Sequence, residues 1–155
     1  MELTIKALKN LGIRRDGPAW SCVLYVDGIK AATVLQEGHG GGTEIDWSVG
    51  PDKARWGGPL AKRVAEYVAT LPEEDGGFGL GPMKQDLESA VAKLADEYES
   101  AQRIKRACKT KTLFRTAGQS ADEHMVTNRP FSPAIAEALR AKYPGVVILN
   151  EQVAS

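Results

Sequence analysis

The sequence lacks the features that mark several large classes of protein. Its 155 residues include two cysteines, Cys22 and Cys108, which is too few for a disulfide-stapled secreted scaffold. No apolar run approaches the length of about 18 residues that a membrane-spanning helix requires. The first residues do not show the basic and then apolar pattern of a signal peptide. These absences predict a cytoplasmic protein, with reduced thiols and no membrane association.

Signatures of catalysis are also missing. The chain has two histidines, His39 and His124, and neither has a second histidine or a cysteine at the short spacing typical of a metal site. No nucleophile elbow, zinc-protease motif or phosphate-binding P-loop pattern occurs. We therefore expect no catalytic residue, no metal and no cofactor. The formal net charge is zero, so no global field directs the protein to nucleic acid or to a membrane.

The first third of the chain has the alternating pattern of antiparallel strands. Residues 3–8 alternate, residues 10–18 are predicted to form a polar loop, and clear alternation returns over residues 20–26. Asp27-Gly28 follows, a dipeptide that favours the type I′ hairpin turn because both positions adopt positive φ. Residues 29–35 complete a predicted three-stranded meander.

Two helices are predicted next. Pro59 begins the first, which ends before Pro72, and residues 73–81 form a flexible connector. The second runs over residues 82–109, with apolar positions at spacings of three, four and seven, namely Leu87, Val91, Leu94, Tyr98, Ala101 and Cys108. So long an apolar seam also predicts a homo-oligomer formed through residues 82–109.

The last third predicts strands over residues 110–116 and 124–128, a helix begun by Ser132-Pro133, and a strand over residues 146–149. This order is not the strict alternation of a parallel α/β protein. The predicted fold class is α+β, with one domain over residues 1–155. Its antiparallel sheet comprises the N-terminal meander and the C-terminal strands, and packs with one long helix and two shorter helices.

Three stretches resemble a widespread group of uncharacterised small phage and prophage proteins. They are residues 24–32 with the loop at 38–41, residues 109–115, and residues 130–133 with 148–151. The resemblance implies a phage-type origin, a cytoplasmic setting in the host cell, and an accessory role such as host modulation or counter-defence.

The first candidate site is the glycine loop, residues 38–42. Successive glycine amides can form a concavity that binds an anion, and His39 beside Gly40, Gly41 and Gly42 adds a donor or a proton-transfer group. A phosphate loop normally leads into a helix, whereas the residues that follow this one favour a strand. A solvent-exposed hairpin exit therefore stays open as the alternative.

The second candidate site is a basic stretch in which no acidic residue intervenes. Its members are Arg103, Lys105, Arg106, Lys109, Lys111 and Arg115. Such a set suits the phosphates of a nucleotide or a nucleic acid, although compensation of the helix dipole explains part of it equally well. Trp47 and Trp56 lie in an irregular segment, where an aromatic ring either stacks on a ligand or covers the sheet.

Two classes of function remain. In the first, the protein is a non-enzymatic module that binds a nucleotide signal or a nucleic acid through His39, Gly40, Gly41, Gly42, Trp47, Arg106, Lys109, Lys111 and Arg115. In the second, it is an inhibitor that binds a host protein through the surface of the long helix. A small hydrolase with His39 as general base is a weaker third alternative.

Overall fold

The computed structural model describes residues 1–75, 79 and 81–153 of the chain. By its internal contacts the chain divides into two compact units, Met1–Tyr98 and Glu99–Ser155, called unit 1 and unit 2 below. Each is described by itself, and the single domain over residues 1–155 stays a prediction. The fold class is α+β, as predicted.

Unit 1 is built on a four-stranded antiparallel sheet in the order β1-β2-β3-β4. The strands are β1 (Leu3–Arg14), β2 (Gly17–Val26), β3 (Ile29–Gln36) and β4 (Glu44–Asp46), and a 3-10 turn over Trp47–Val49 follows them. Asp27 and Gly28 have φ values of 49° and 78° between β2 and β3, as a type I′ turn requires. The predicted meander is confirmed, and β4 adds a short fourth strand.

The loop predicted over residues 10–18 is wrong, because β1 continues to Arg14 and pairs with β2 along its whole length. Two register shifts interrupt that pairing, one between Lys6 and Lys9 and one between Asn10 and Gly12. Ala7 and Gly12 have φ values of 55° and 94° there. Each bulge adds one residue and so reverses which side chains face the core. The sequence of β1 therefore does not show a continuous alternation of apolar and polar residues.

Ala7 is an exposed non-glycine residue in the left-handed region, which gives the first prediction. Ala7→Gly removes the steric cost of its Cβ, and we expect it to stabilise unit 1 by about 1 kcal/mol. Urea denaturation of the two proteins measures the difference. A lower unfolding midpoint for the variant would show that the bulge does not strain Ala7.

Helix α1 (Pro59–Val68) begins at Pro59, as predicted, and Val64 and Val68 on its apolar side are buried. Asp52 supplies the cap that Gly58 lacks, since its Oδ2 accepts hydrogen bonds from the amides of Leu60 and Ala61 at 2.8 and 3.3 Å. The next pair of strands, β5 (Glu74–Asp75) and β6 (Pro82–Met83), forms a small sheet of its own. The predicted connector lies partly outside the described residues.

Helix α2 (Leu87–Ala107) has 21 residues and starts five positions later than predicted. The start is set by a reciprocal cap, in which Asp86 Oδ1 accepts from the Ser89 amide at 2.8 Å and Ser89 Oγ accepts from the Asp86 amide at 2.9 Å. Hydrogen bonds from the backbone amide and then from the side chain of Ser89 to the carboxylate lower the pKa of Asp86. Pro82, from which the helix start was predicted, lies in β6 instead.

The core of unit 1 lies between one face of the sheet and the two helices. Leu24 and Val34 from the sheet, Val64 from α1 and Val91 from α2 are at most 1% exposed, and Leu87, Leu94 and Tyr98 pack against this cluster. The apolar side of α2 up to Tyr98 is therefore used within unit 1. The homo-oligomer stays a prediction. The apolar seam of α2 no longer supports it, because the residues of that seam up to Tyr98 are packed within unit 1.

Unit 2 contains the end of α2 and a three-stranded antiparallel sheet in the order β8-β7-β9. Its elements are β7 (Thr112–Arg115), β8 (Met125–Thr127), α3 (Pro133–Lys142), β9 (Val147–Ile148) and α4 (Leu149–Val153). Ser132 caps α3 as predicted, accepting from the Ile135 amide at 3.3 Å. Phe114, Ala136 and Ile148 form the core of unit 2. The C-terminal strands thus make their own sheet.

Candidate functional site

The glycine loop connects β3 to β4, and its first glycine is explained by a contact within unit 1. Gly38 is buried with a φ of 70°, and its carbonyl accepts a hydrogen bond from the Asp16 amide at 3.0 Å. A Cβ at Gly38 would lie 2.6 Å from the Gly17 carbonyl oxygen. The backbone that this glycine approaches is therefore the start of β2.

Side chains hold both ends of the loop. The Gln36 side-chain oxygen accepts from the Gly38 amide at 3.1 Å, and its nitrogen donates to Thr43 Oγ1 at 3.2 Å. The Thr43 amide donates to Glu88 Oε2 at 2.8 Å, so the first turn of α2 fixes the far end. The acceptor at this end of the loop is a carboxylate of the protein itself.

The surroundings of the glycine loop are acidic. A Cβ at Gly40 would lie 3.4 Å from Asp16 Oδ2, and one at Gly42 would lie 3.1 Å from Glu88 Oε1. Asp16 and Asp96 both line the adjoining pocket of about 330 Å³. His39 is exposed, and it lies together with Gly40–Gly42 on one loop, as predicted. The nearby carboxylates repel a phosphate, so the geometry does not favour the predicted anion site here.

The two tryptophans occupy different environments. Trp47 is 3% exposed and belongs to the core of unit 1, so it offers no ring face to a ligand. This corrects its placement in the candidate site, since the 3-10 turn after β4 directs the indole inward. Trp56 is 80% exposed, with the Arg55 guanidinium carbon 4.7 Å from its ring centroid. Of the two, only Trp56 is available at the surface.

Five of the predicted cations gather at the end of α2 in unit 2. We call Arg103, Lys105, Arg106, Lys109 and Lys111 the helix-end basic cluster, and all five side chains are exposed. Within the part of the chain that the structure describes, none of the five makes an ion pair. Arg106 Nε donates to the Gln102 carbonyl at 3.2 Å, which leaves the other guanidinium donors for a ligand.

Arg115 has a different role from the cluster. Its Nε donates to the Glu123 carbonyl at 3.0 Å, and its Nη2 donates to the Ala121 carbonyl. Because both contacts are with the connection between β7 and β8, Arg115 braces that connection. The sequence placed it correctly at the end of a strand but not in this structural role.

Asn150 holds the turn that presents the cluster. Its amide nitrogen donates to the carbonyls of Cys108 and Lys111 at 3.1 and 2.8 Å, and its oxygen accepts from the Leu113 amide at 2.8 Å. Asn150 is 5% exposed, its bond with the Leu113 amide is buried, and its two bonds to carbonyl groups are partly buried. No pattern in the sequence marks this residue, because a single asparagine has no distinctive spacing to its partners.

The zero net charge conceals a separation of charge between the units. Unit 2 carries nine lysines and arginines against five acidic residues, whereas unit 1 carries eleven against fifteen. The excess of positive charge in unit 2 coincides with the helix-end basic cluster. Unit 2 therefore has an excess of four positive charges within a chain whose total charge is zero.

A further surface of unit 1, the outer sheet face, was not recognised from the sequence. It is the side of β1–β4 opposite the core, and it carries Lys6, Lys9, Tyr25 and Lys30. Lys6 Nζ lies 4.5 Å from the centroid of the Tyr25 ring. Alternation along β2 and β3 contained the information, but the bulges in β1 concealed which lysines join them.

In the described part of the chain, the cysteines and the possible metal ligands do not form a reactive or metal-binding site. Burial raises the pKa of the Cys22 thiol to about 11, and burial also raises the pKa of Cys108, so neither is a ready nucleophile. The described residues include no group of three or more histidine, cysteine or acidic side chains placed to hold a metal ion. Among the helices described, none has the length and apolar character needed to cross a membrane.

Comparison of the chain with protein-family models, with curated proteins and with solved structures gives no match.

Proposed function

We propose that this protein is a nucleic-acid-binding module of a phage-type accessory protein, and that the helix-end basic cluster contacts the phosphates. The observation that supports this best is the group of five exposed cations with no ion-pair partner in the described part of the chain. When lysines and arginines bind the phosphates of a nucleic acid, they displace the counterions that are condensed on it. The release of these counterions drives much of the binding affinity.

The spacing of the cations favours a polymer over a single phosphate. Arg103 and Arg106 are three residues apart on α2, so they lie on the same side of the helix end, and Lys105 lies in the same last turns. Lys109 follows the last helical residue, Ala107. Lys111 continues the set beyond the last residue of α2. Cations spread along a helix match successive phosphates, whereas a single phosphate requires donors that converge on one point.

Compensation of the helix dipole explains only part of the cluster. Lys105 and Arg106 lie in the last turn of α2, where a cation stabilises a helix by about 0.3–1 kcal/mol. Lys109 and Lys111 lie after Ala107, and the dipole effect falls off beyond the final turn. Binding of an external anion accounts for these two residues as well.

Charge reversal tests the proposal. The double variant Arg106→Glu, Lys109→Glu should weaken binding of a fluorescein-labelled DNA duplex at least about tenfold at low salt. The slope of log affinity against log salt should fall by about two, because two phosphate contacts are lost. Fluorescence anisotropy over a salt series measures both quantities.

Lys62→Glu, Arg63→Glu on α1 is the matched control, since it introduces the same charge change at two exposed helix positions in unit 1. We expect this control to bind the duplex like the wild type. Equal weakening by both double variants, or no salt-dependent binding by the wild type, would contradict the proposed role of the cluster.

Inhibition of a host protein is the second candidate function, and the exposed ring of Trp56 favours it. Exposed tryptophans are frequent anchors of protein interfaces, and Arg55 holds this one by its stacking contact. If the protein acts by binding a host protein through Trp56, the charge reversal at Arg106 and Lys109 should leave that binding unchanged. The same pair of variants therefore separates the two functions.

A further inference from the structure

The outer sheet face of unit 1 has a concavity that, among the described residues, is lined by strands and not by helices. The opposite face packs against α1 and α2 through Leu24, Val34, Val64 and Val91. The outer side has a shallow concavity of about 370 Å³, and every described residue that lines it belongs to β1, β2, β3 or β4. Its lining includes Lys9 on β1 and the carboxylates Glu44 and Asp46 on β4, and the concavity adjoins the end of the face that carries Lys6, Tyr25 and Lys30.

Cross-strand pairing places the chemistry on this face, because residues opposite each other in a sheet point to the same side. Tyr25 on β2 pairs with Thr4 on β1 and with Lys30 on β3. The next two rows place Lys6 beside Val23 and Lys9 beside Ser21. Lys6 and Lys30 thus lie beside Tyr25 near the β2–β3 turn, and Lys9 lies farther along the same face, opposite Ser21.

The acidic residues of this face lie at the opposite edge. Glu44 and Asp46 on β4 pair with Leu35 and Thr33, and Arg55 neutralises Glu44 through a 2.7 Å ion pair. The hydrogen bonds from Ser48 keep the pKa of Asp46 below its usual range, so Asp46 stays charged. Strand β1 itself contains no acidic residue from Leu3 to Arg14, and the acidic residues next to it are Glu2, which precedes the strand, and Asp27 in the β2–β3 turn, whose Oδ1 accepts from the Glu2 amide at 2.8 Å.

Tyr25 supplies a ring beside a cation. Tyr25 is partly exposed, and Lys6 Nζ lies over its ring, 4.5 Å from the ring centroid. A nucleotide presents the matching pair of groups, an anionic phosphate and a flat base joined by a short sugar. A phosphate that draws the Lys6 ammonium away from the ring frees that ring face for the adjoining base.

We infer that the outer sheet face binds single-stranded nucleic acid, with phosphates on Lys6 and Lys9 and an unpaired base stacked on Tyr25. The inference adds a second contact surface to the proposed function and names the class of nucleic acid. Single strands are favoured because the bases of a duplex are already stacked on each other and leave no free face for Tyr25. Duplex DNA and a second copy of this chain are the competing occupants of this face.

Tyr25→Leu tests the inference, with Tyr25→Phe as its matched control. The wild type should bind a labelled oligo-dT strand more tightly than a duplex of equal length. Tyr25→Leu should weaken oligo-dT binding about tenfold and leave duplex binding unchanged, whereas Tyr25→Phe, which keeps the ring, should bind like the wild type. Lys6→Gln should also weaken oligo-dT binding, and circular dichroism melts should show that all variants fold.

The outcomes separate this inference from the proposed function. Weakening of both probes by the Arg106 and Lys109 reversal, with no effect of Tyr25→Leu, overturns the inference and leaves the cluster in place. Loss of oligo-dT binding in Tyr25→Leu alone supports the inference and overturns the role of the cluster. A change of oligomeric state in Tyr25→Leu by light scattering, without loss of oligo-dT affinity, assigns the face to a second copy and overturns the inference.

Discussion

Asn150→Leu is expected to lower the free energy of unfolding by about 3 kcal/mol, although it replaces a polar group with an apolar one of similar size. The substitution removes the partners of three backbone groups, namely the Leu113 amide and the carbonyls of Cys108 and Lys111. The Leu113 amide has the largest share, since its bond is buried and water does not replace it. Urea denaturation followed by circular dichroism measures the loss.

The matched control is Asn128→Leu, because Asn128 is an exposed asparagine of the same unit. The change of side chain is identical, and we expect an effect within about 0.5 kcal/mol. Amide hydrogen exchange at Leu113 localises the loss, since protection of that amide should fall in Asn150→Leu and stay unchanged in the control. Equal stability of the two variants would show that the Asn150 bonds are formed at no net gain.

A second variant keeps this prediction testable if Asn150→Leu does not fold. Asn150→Asp keeps an oxygen to accept from the Leu113 amide, but its carboxylate faces two carbonyl oxygens. Their repulsion raises the pKa of the introduced carboxyl in the folded state above its ordinary value of about 4. The deficit against the wild type is therefore smallest below pH of about 4 and grows as pH rises through the folded pKa.

Local signals in the sequence account for the elements that were predicted correctly. Asp27-Gly28, Pro59 and Ser132 each determine a turn or a helix start through their own backbone preference, and the structure has the hairpin, α1 and α3 at these places. Such signals work because their partners lie within three residues. This part of the fold follows from the chain read in short windows.

The features that were missed depend on partners far along the chain. Glu88 holds the Thr43 amide from 45 positions away, and Asn150 holds Leu113 from 37 positions away. No spacing rule connects such residues, so the acidic environment of the glycine loop and the buried amide were both invisible. The same limit explains Trp47, whose burial depends on how the 3-10 turn packs and not on its neighbours in sequence.

The candidate site was predicted in part for the same reason. Arg106, Lys109 and Lys111 are exposed as expected, because charged side chains without an ionic partner mostly stay in solvent. Arg115 differs only in having two carbonyl groups within reach, which the sequence does not record. The sequence therefore shows where the charged residues are. Which of them are free to bind a ligand can be determined only from the folded structure.

Gly50→Ala is expected to destabilise unit 1 by about 3 kcal/mol, although it adds a single methyl group. A Cβ at Gly50 would lie 2.1 Å from the Ala31 carbonyl oxygen and 2.8 Å from the Ala31 carbonyl carbon. Both residues are buried, and Ala31 occupies the bulge where the β2–β3 register shifts. The obstacle is therefore backbone in the core, which cannot rotate away as a flexible side chain does.

The conformation of Gly50 makes this a test of space alone. Its φ of −94° and ψ of −171° are accessible to any residue, so no left-handed strain contributes. Gly41 is the matched control, because a Cβ there has no neighbour within 4 Å and its φ is not positive. We expect Gly41→Ala to leave the urea midpoint unchanged or slightly raised, since alanine lowers the entropy of the unfolded chain.

The two glycine variants together show what the glycines of this chain do. A large loss for Gly50→Ala and none for Gly41→Ala places the structural requirement at the close approach to Ala31 and leaves the middle of the glycine loop unconstrained by folding. Equal stability of both variants would mean that β3 yields at Ala31 to admit the methyl group. In that case the bulge would be a soft point of the sheet, and the register that places Tyr25 opposite Lys30 would be less firmly held than the pairing indicates.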